Sequence, residues 1–183
     1  MGVLAKDLDD PQKLPRVLDT TGGLGEDAFF MARFASKVTI VERSPLLHSL
    51  LEDGLARAQE SLNYLTRSQA EKIDLCAEPM DSCQVLKQLQ EQHPSSRPDV
   101  IYLDPMHEEK YGKSALPKFK IQLARKLIGR GDLREHDELL EQALLTTRNR
   151  VVFKKPMGAT KDSKCKFSVS GGRAVRYDVY VVQ

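Results

Sequence analysis

The chain reads as an α/β protein whose mostly parallel sheet is covered by helices, and three observations predict this. Strand-like and helix-like segments alternate along all 183 residues. A glycine-bearing turn follows the first apolar strand. A later apolar run, Val100-Ile101-Tyr102-Leu103, ends in Asp104-Pro105, and a strand tip carrying an acid is where open parallel sheets build their sites. The length suits one domain spanning residues 1–183, enough to bury roughly 70% of the unfolded surface.

The elements follow in order. Residues 16–19 are predicted as the first strand and 26–35 as the first helix. Residues 38–41 form a second strand ending in Glu42. Ser44 then caps, and Pro45 starts, a helix whose Leu46, Leu47, Leu50, Leu51, Leu55 and Ala58 recur at helical spacing and are expected to be core. Residues 72–77 read as the third strand and 83–92 as a helix with Val85, Leu86 and Leu89 inward. The loop Pro94-Ser95-Ser96-Arg97-Pro98 delivers the chain into the fourth strand. After Asp104 a polar stretch to about residue 114 is longer than most strand-to-helix links and is expected to be a functional or mobile loop. Helices are expected over 116–128 and 137–146 and a fifth strand over 151–153. Residues 166–170 and 175–182, joined through Gly171-Gly172, form a closing hairpin.

Composition narrows the function. Hydrophobic content of 40% and charged content of 30% are ordinary for a water-soluble chain, and no apolar run approaches the ~20 residues that span a bilayer. The first residues lack the apolar stretch of a secretory signal, so a cytoplasmic location is expected. Cys76, Cys83 and Cys165 have no metal-ligand spacing, and His48, His93, His107 and His136 are scattered; no metal site is expected. The net charge of +2 conceals an asymmetry. Residues 1–109 carry 11 Lys and Arg against 19 Asp and Glu, whereas residues 110–183 carry 17 against 7. Lys110, Lys113, Lys118, Lys120, Arg125, Lys126 and Arg130 follow one another with no acid between them. A single-sign stretch is either a solvated helix face or the footprint of a phosphate-bearing partner. Lys154 and Lys155 end the fifth strand, and both groups are expected to border the mouth of the crevice.

The glycine turn carries the chemistry. In Asp19-Thr20-Thr21-Gly22-Gly23-Leu24-Gly25-Glu26-Asp27 an acid ends the strand and glycines form the turn below it, where a backbone can approach a ligand closely. Gly23-Leu24-Gly25-Glu26-Asp27-Ala28 also fits a dinucleotide fingerprint, with Glu42 lying 17 residues beyond Gly25 in place of the ribose-binding acid. Either way Glu42 meets a ribose. Glu26 and Asp27 would repel a pyrophosphate, whereas the sulfonium of S-adenosyl-L-methionine suits an acidic pocket. A purely structural turn is the plain alternative. Asp104 alone would read as a helix cap; beside the glycine turn, at the sheet's switch point, it is expected to face the same crevice as Asp19.

Several blocks resemble one family. Asp19 through Phe29, Val41-Glu42-Arg43-Ser44-Pro45, Leu51-Glu52-Asp53-Gly54-Leu55-Ala56, Tyr102-Leu103-Asp104-Pro105-Met106, Lys113-Ser114-Ala115-Leu116, Arg150 through Pro156 and Arg176-Tyr177-Asp178-Val179-Tyr180 are similar, in order, to the RsmJ family (ribosomal small subunit methyltransferase J). The resemblance implies a class I S-adenosylmethionine-dependent methyltransferase, Rossmann-like, with a mostly parallel seven-stranded sheet and a C-terminal antiparallel hairpin. It implies methylation of the exocyclic N2 amine of a guanine in small-subunit (16S) ribosomal RNA. Glu26, Asp27, Glu42, Arg43 and Asp104 would contact the cofactor, with Glu78 near its adenine. The chain departs from the family in His107-Glu108, where an aromatic residue and proline are usual, and in Glu78-Pro79, where a small polar pair is usual. The family also carries a region before the first strand where this sequence has 15 residues. In this reading Asp104, or the carbonyl beside Pro105, accepts a hydrogen bond from N2–H, and the proline stiffens the turn. The rivals are an RNA-binding homologue without turnover and an NAD-dependent oxidoreductase.

Overall fold

The computed structural model describes residues 13–105 and 133–182. Seven strands form one sheet in the order β3-β2-β1-β4-β5-β7-β6. β1 (Arg16–Asp19) lies between β2 (Lys37–Ile40) and β4 (Val100–Leu103), and β3 (Ile73–Leu75), β2, β1, β4 and β5 (Arg150–Pro156) are all parallel. β7 (Val175–Val181) runs antiparallel against β5 and pairs with β6 (Phe167–Ser170) at the edge. Order reverses between β1 and β4, so their C-terminal ends open a crevice there.

Helices cover both faces. On one side α1 (Glu26–Met31), the turn after it and α2 (Pro45–Gln59) pack Ala28, Ala32, Leu51 and Leu55 against Val17, Val38, Ile40 and Tyr102. On the other, α4 (Ser82–Gln90) and α5 (Leu133–Thr146) bring Val85, Leu86, Leu139 and Ala143 onto Leu18, Ile101, Leu103, Val151 and Phe153. Strand residues of even and odd number thus divide between two cores, as the alternation of side chains demands.

Several expectations are adjusted. α1 stops at Met31, and 32–34 tighten into a turn in which Phe34 N–H donates to the Met31 carbonyl at 2.9 Å; Ala32 and Ala35, both fully buried, let that turn sit close on the sheet. Ser44 caps α2 as expected, accepting from Leu47 N. Leu46 and Leu50, expected in the core, are 49% and 48% exposed. The sheet takes only the stripe through Leu47, Leu51 and Leu55, and each outward leucine stands about 100° from it. α3 (Tyr64–Ala70) is an element the sequence pattern does not announce; Asn63 caps it through Thr66 N, while Tyr64 and Leu65 face outward, so it shows no apolar period. β3 and the fifth strand differ from expectation only in length. The helix expected over 116–128 lies outside the described residues. No helix among the described residues is long and apolar enough to cross a membrane.

Candidate active site

The crevice is built from strand tips on the α1 face. Asp19 ends β1 in register with Tyr102 of β4, which is in register with Val152 of β5. Two residues further along their strands come Asp104 and Lys154, on the same face by the strand period. α1 adds Asp27 from its first turn.

The glycine turn is shaped by two different demands. Gly23 and Gly25 have φ of 55° and 79°, a left-handed backbone that costs other residues roughly 1–2 kcal/mol. Gly22, to which the motif alone assigns no role, is needed for closeness: a Cβ there would strike Ile40 Cγ2 and come within 3.1 Å of the Val41 carbonyl. Glu42 holds the turn from the side. It is 5% exposed; its Oε2 accepts from Gly23 N and its Oε1 from Ser44 N, both at 2.7 Å. The loop after β3 is tied to the same residue, since Met80 N donates to the Glu42 carbonyl, and His48 Nε2 on α2 donates to the Cys76 carbonyl at 2.6 Å.

Three aspartates and one lysine form the floor. Asp19 is 1% exposed, and its Oδ1 accepts from Thr21 N and Thr21 Oγ1. Thr21 Oγ1 in turn accepts from Asp104 N at 2.8 Å, coupling the tips of β1 and β4. Burial pushes the Asp19 carboxyl up to about 7 against the Thr21 N–H bond, with Asp27 and Asp104 adding repulsion. Asp27 is the opposite case: burial would raise its carboxyl, but hydrogen bonds from Tyr102 Oη at 2.7 Å and Lys154 Nζ at 2.9 Å hold it below the usual range. Lys154 Nζ also donates to Asp104 Oδ2 at 2.8 Å. Burial would lower that ammonium, yet the hydrogen bond and charge of Asp104, with those of Asp27, keep it well above its ordinary value. Tyr102 is held protonated by burial, by Asp104 and by its bond to Asp27. The Lys154, Asp27 and Asp104 side chains remain 21%, 39% and 32% exposed, so the cluster is open to a ligand.

The expected residues are therefore partly assembled. Asp19, Gly23, Gly25, Asp27, Glu42, Asp104 and Pro105 come together at the β1–β4 switch point. Glu26 is exposed at the helix start, and Glu78 is exposed in the loop after β3. Arg43 turns instead toward α5, 3.5 Å from Glu135. Lys110, Lys113, Lys118, Lys120, Arg125 and Lys126 lie outside the described residues. Lys154 and Lys155 do not line a phosphate path together, because consecutive strand residues point to opposite faces. Lys154 bridges the acids, and Lys155 is 13% exposed beside Asp178, 3.2 Å from Tyr180 Oη and over the Phe153 ring. Thr21, Tyr102 and Gly22 join the site without having been singled out in the sequence. Tyr102 was within reach, since it stands two residues before Asp104 on the same strand face.

The donor set fits S-adenosylmethionine: a turn whose glycines admit close backbone approach, carboxylates at three strand and helix ends, and Glu26 and Asp27 where a pyrophosphate would otherwise sit. Known proteins agree. A family model described as "Putative SAM-dependent methyltransferase" matches residues 3–182. Ribosomal RNA small subunit methyltransferase J of Vibrio parahaemolyticus is 42% identical over 170 residues, covering 91% of this chain and 64% of that protein. The protein of the same name from Chromobacterium violaceum is 38% identical, covering 96% and 65%. This chain thus spans a little under two thirds of their length. In structure it matches a SAM-dependent methyltransferase of Neisseria gonorrhoeae with a TM-score of 0.68 at 30% identity, covering 96% of this chain and 68% of that one. With a seven-stranded sheet of this order, an acidic glycine turn and a family model matching nearly its whole length, the chain belongs to the SAM-dependent methyltransferases.

Proposed function

We propose that this chain methylates the exocyclic N2 amine of a guanine in small-subunit ribosomal RNA, with S-adenosyl-L-methionine as methyl donor. The observation that carries the proposal is Asp104, placed at the switch point with its backbone N–H tied to Thr21 and its carboxylate held by Lys154. The cofactor supplies an electrophilic methyl carbon. Guanine N2 is a poor nucleophile because its lone pair is delocalised into the ring. The Asp104 carboxylate would accept a hydrogen bond from N2–H, orient that lone pair for attack, and take the N2 proton as the amine is methylated, passing it on to solvent. Pro105 keeps the turn stiff and adds no competing N–H. Glu42 and the Gly22–Gly25 turn would hold the nucleoside end, and Asp27, held ionised by Tyr102 and Lys154, would give the pocket negative potential. Such positioning can supply several kcal/mol.

Methyl transfer to ribosomal subunits lacking the modification tests this. Asp104→Ala should lower turnover at least ~100-fold, equivalent to about 2.7 kcal/mol, and leave the fold intact. A variant near parental activity would reduce Asp104 to a turn residue. The RNA path is assigned to Lys110, Lys113, Lys118, Lys120, Arg125 and Lys126. Removing one phosphate-binding cation should lower the slope of log affinity against log salt by about one unit or slightly less. Lys113→Ala/Lys118→Ala is the first pair to change, and an unaltered slope would return the stretch to a solvated surface.

A further inference from the structure

Lys154 stands apart among the described cations. It is the only described lysine bonded to two carboxylates of the crevice, Asp27 Oδ2 at 2.9 Å and Asp104 Oδ2 at 2.8 Å, and it reaches them from β5 while Asp27 comes from α1 and Asp104 from β4. Without an ammonium there, two carboxylates would face each other with a third, Asp19, behind them. Like charges so close cannot all stay ionised. We infer that Lys154 is a positioning residue of the methyl-transfer site: its ammonium keeps Asp27 and Asp104 ionised and fixes the direction in which Asp104 presents itself to the substrate amine, instead of binding RNA phosphate.

The surroundings are consistent with that role. Among the described residues, Lys154 is faced by Asp27 on α1, Tyr102 on β4, Asp104 just beyond it, Asp19 on β1 and Tyr177, its register partner on β7; Glu26 is exposed at the helix start. Tyr102 stays protonated and donates to Asp27, so Lys154 brings cationic charge directly onto Asp27 and Asp104. The ammonium sits one strand away from the substrate-facing acid and already donates to two carboxylates, which a backbone phosphate would have to displace. This inference rests on the proposed methyl transfer for its catalytic consequence, but the electrostatic part can be read without turnover.

The test uses the 183-residue chain with carbon-13 in its aspartate carboxyls, signals being assigned with Asp27→Asn. In Lys154→Gln, which keeps a polar side chain but loses the charge, Asp27 should titrate about one pH unit or more higher than in the parent. Lys154→Arg should restore the parental titration. In the methyl-transfer assay the acid limb of the pH profile should move upward in Lys154→Gln, with the loss falling on kcat and little change in KM for RNA. An Asp27 titration identical in parent and Lys154→Gln, or a lower salt slope for RNA binding with unchanged titration, would overturn the inference and restore Lys154 as a phosphate ligand. Failure of the parent to bind S-adenosylhomocysteine in calorimetry would instead sink the methyl-transfer reading and leave the titration result standing.

Discussion

Two neighbouring lysines end up in different environments. Lys154 lies on the α1 face, part exposed, bridging two acids of the crevice. Lys155 points through the other face of β5 toward a closed network in which Arg176 donates to Asp178 Oδ1 at 2.8 Å and to the carbonyls of Met157, Ala159 and Thr160, while Ser168 Oγ donates to the same aspartate at 2.7 Å. Asp178 is fully buried and Arg176 is 5% exposed. The chemistry is alike, cations against carboxylates; what differs is access to solvent. An enclosed network whose hydrogen bonds are satisfied holds β5, β6, β7 and the loop after β5 together, whereas a part-exposed cluster is available to a ligand.

That contrast can be broken most severely at Asp178. Asp178→Ala leaves the Arg176 guanidinium buried without its carboxylate and should cost ~3–5 kcal/mol of stability, read by urea denaturation, while Lys154→Gln on the open face should cost under ~1 kcal/mol. Equal losses would show that burial does not separate the two networks. Next comes Glu42, whose two oxygens clasp Gly23 N and Ser44 N. Glu42→Ala should weaken S-adenosylhomocysteine binding by ~1–3 kcal/mol in calorimetry, both by removing an acceptor and by freeing the turn; undiminished affinity would take Glu42 out of the pocket.

The mildest test uses pH. The two buried aspartates carry opposite signs. The Asp178 carboxyl, which burial would raise but Arg176 and Ser168 hold below 3.8, adds stability above that value that is lost as pH falls through its folded value. The Asp19 carboxyl, raised by burial from 3.8 to about 7, binds its proton more tightly in the folded chain. It therefore subtracts stability progressively as pH rises from about 4 to about 7, and the deficit is complete above that. Asp19→Asn should remove this decline, so that its stability gains on the parent between pH 4 and 7. A parallel pair of pH–stability curves would mean that Asp19 is ionised throughout.

Much of this architecture is legible in local sequence. β1 and β4 fall where their apolar runs place them, because a strand buried on both faces must be apolar along its length. Ser44-Pro45 announces the start of α2 through capping chemistry that needs no tertiary partner. Asp19, Glu42 and Asp104 each stand at a strand tip, so knowing the strands was enough to bring them to one edge. The α3 helix is hidden because Asn63 caps a segment with no inward period, and Leu46 and Leu50 read as core because spacing alone does not say how wide a stripe the sheet will cover.

By itself, then, the sequence determined the order of strands and helices, the acidic glycine turn and the family. Only the tertiary structure decided the partners. Gly22 is pressed by Ile40, Thr21 couples Asp19 to Asp104, Tyr102 and Lys154 converge on Asp27, and Lys155 leaves the crevice altogether. These arrangements join residues as far as 127 positions apart in the chain. The physical reason is that a residue's type and its neighbours set its conformation, while its charge state and its hydrogen-bond partner are set by whatever the folded sheet brings within about 3 Å.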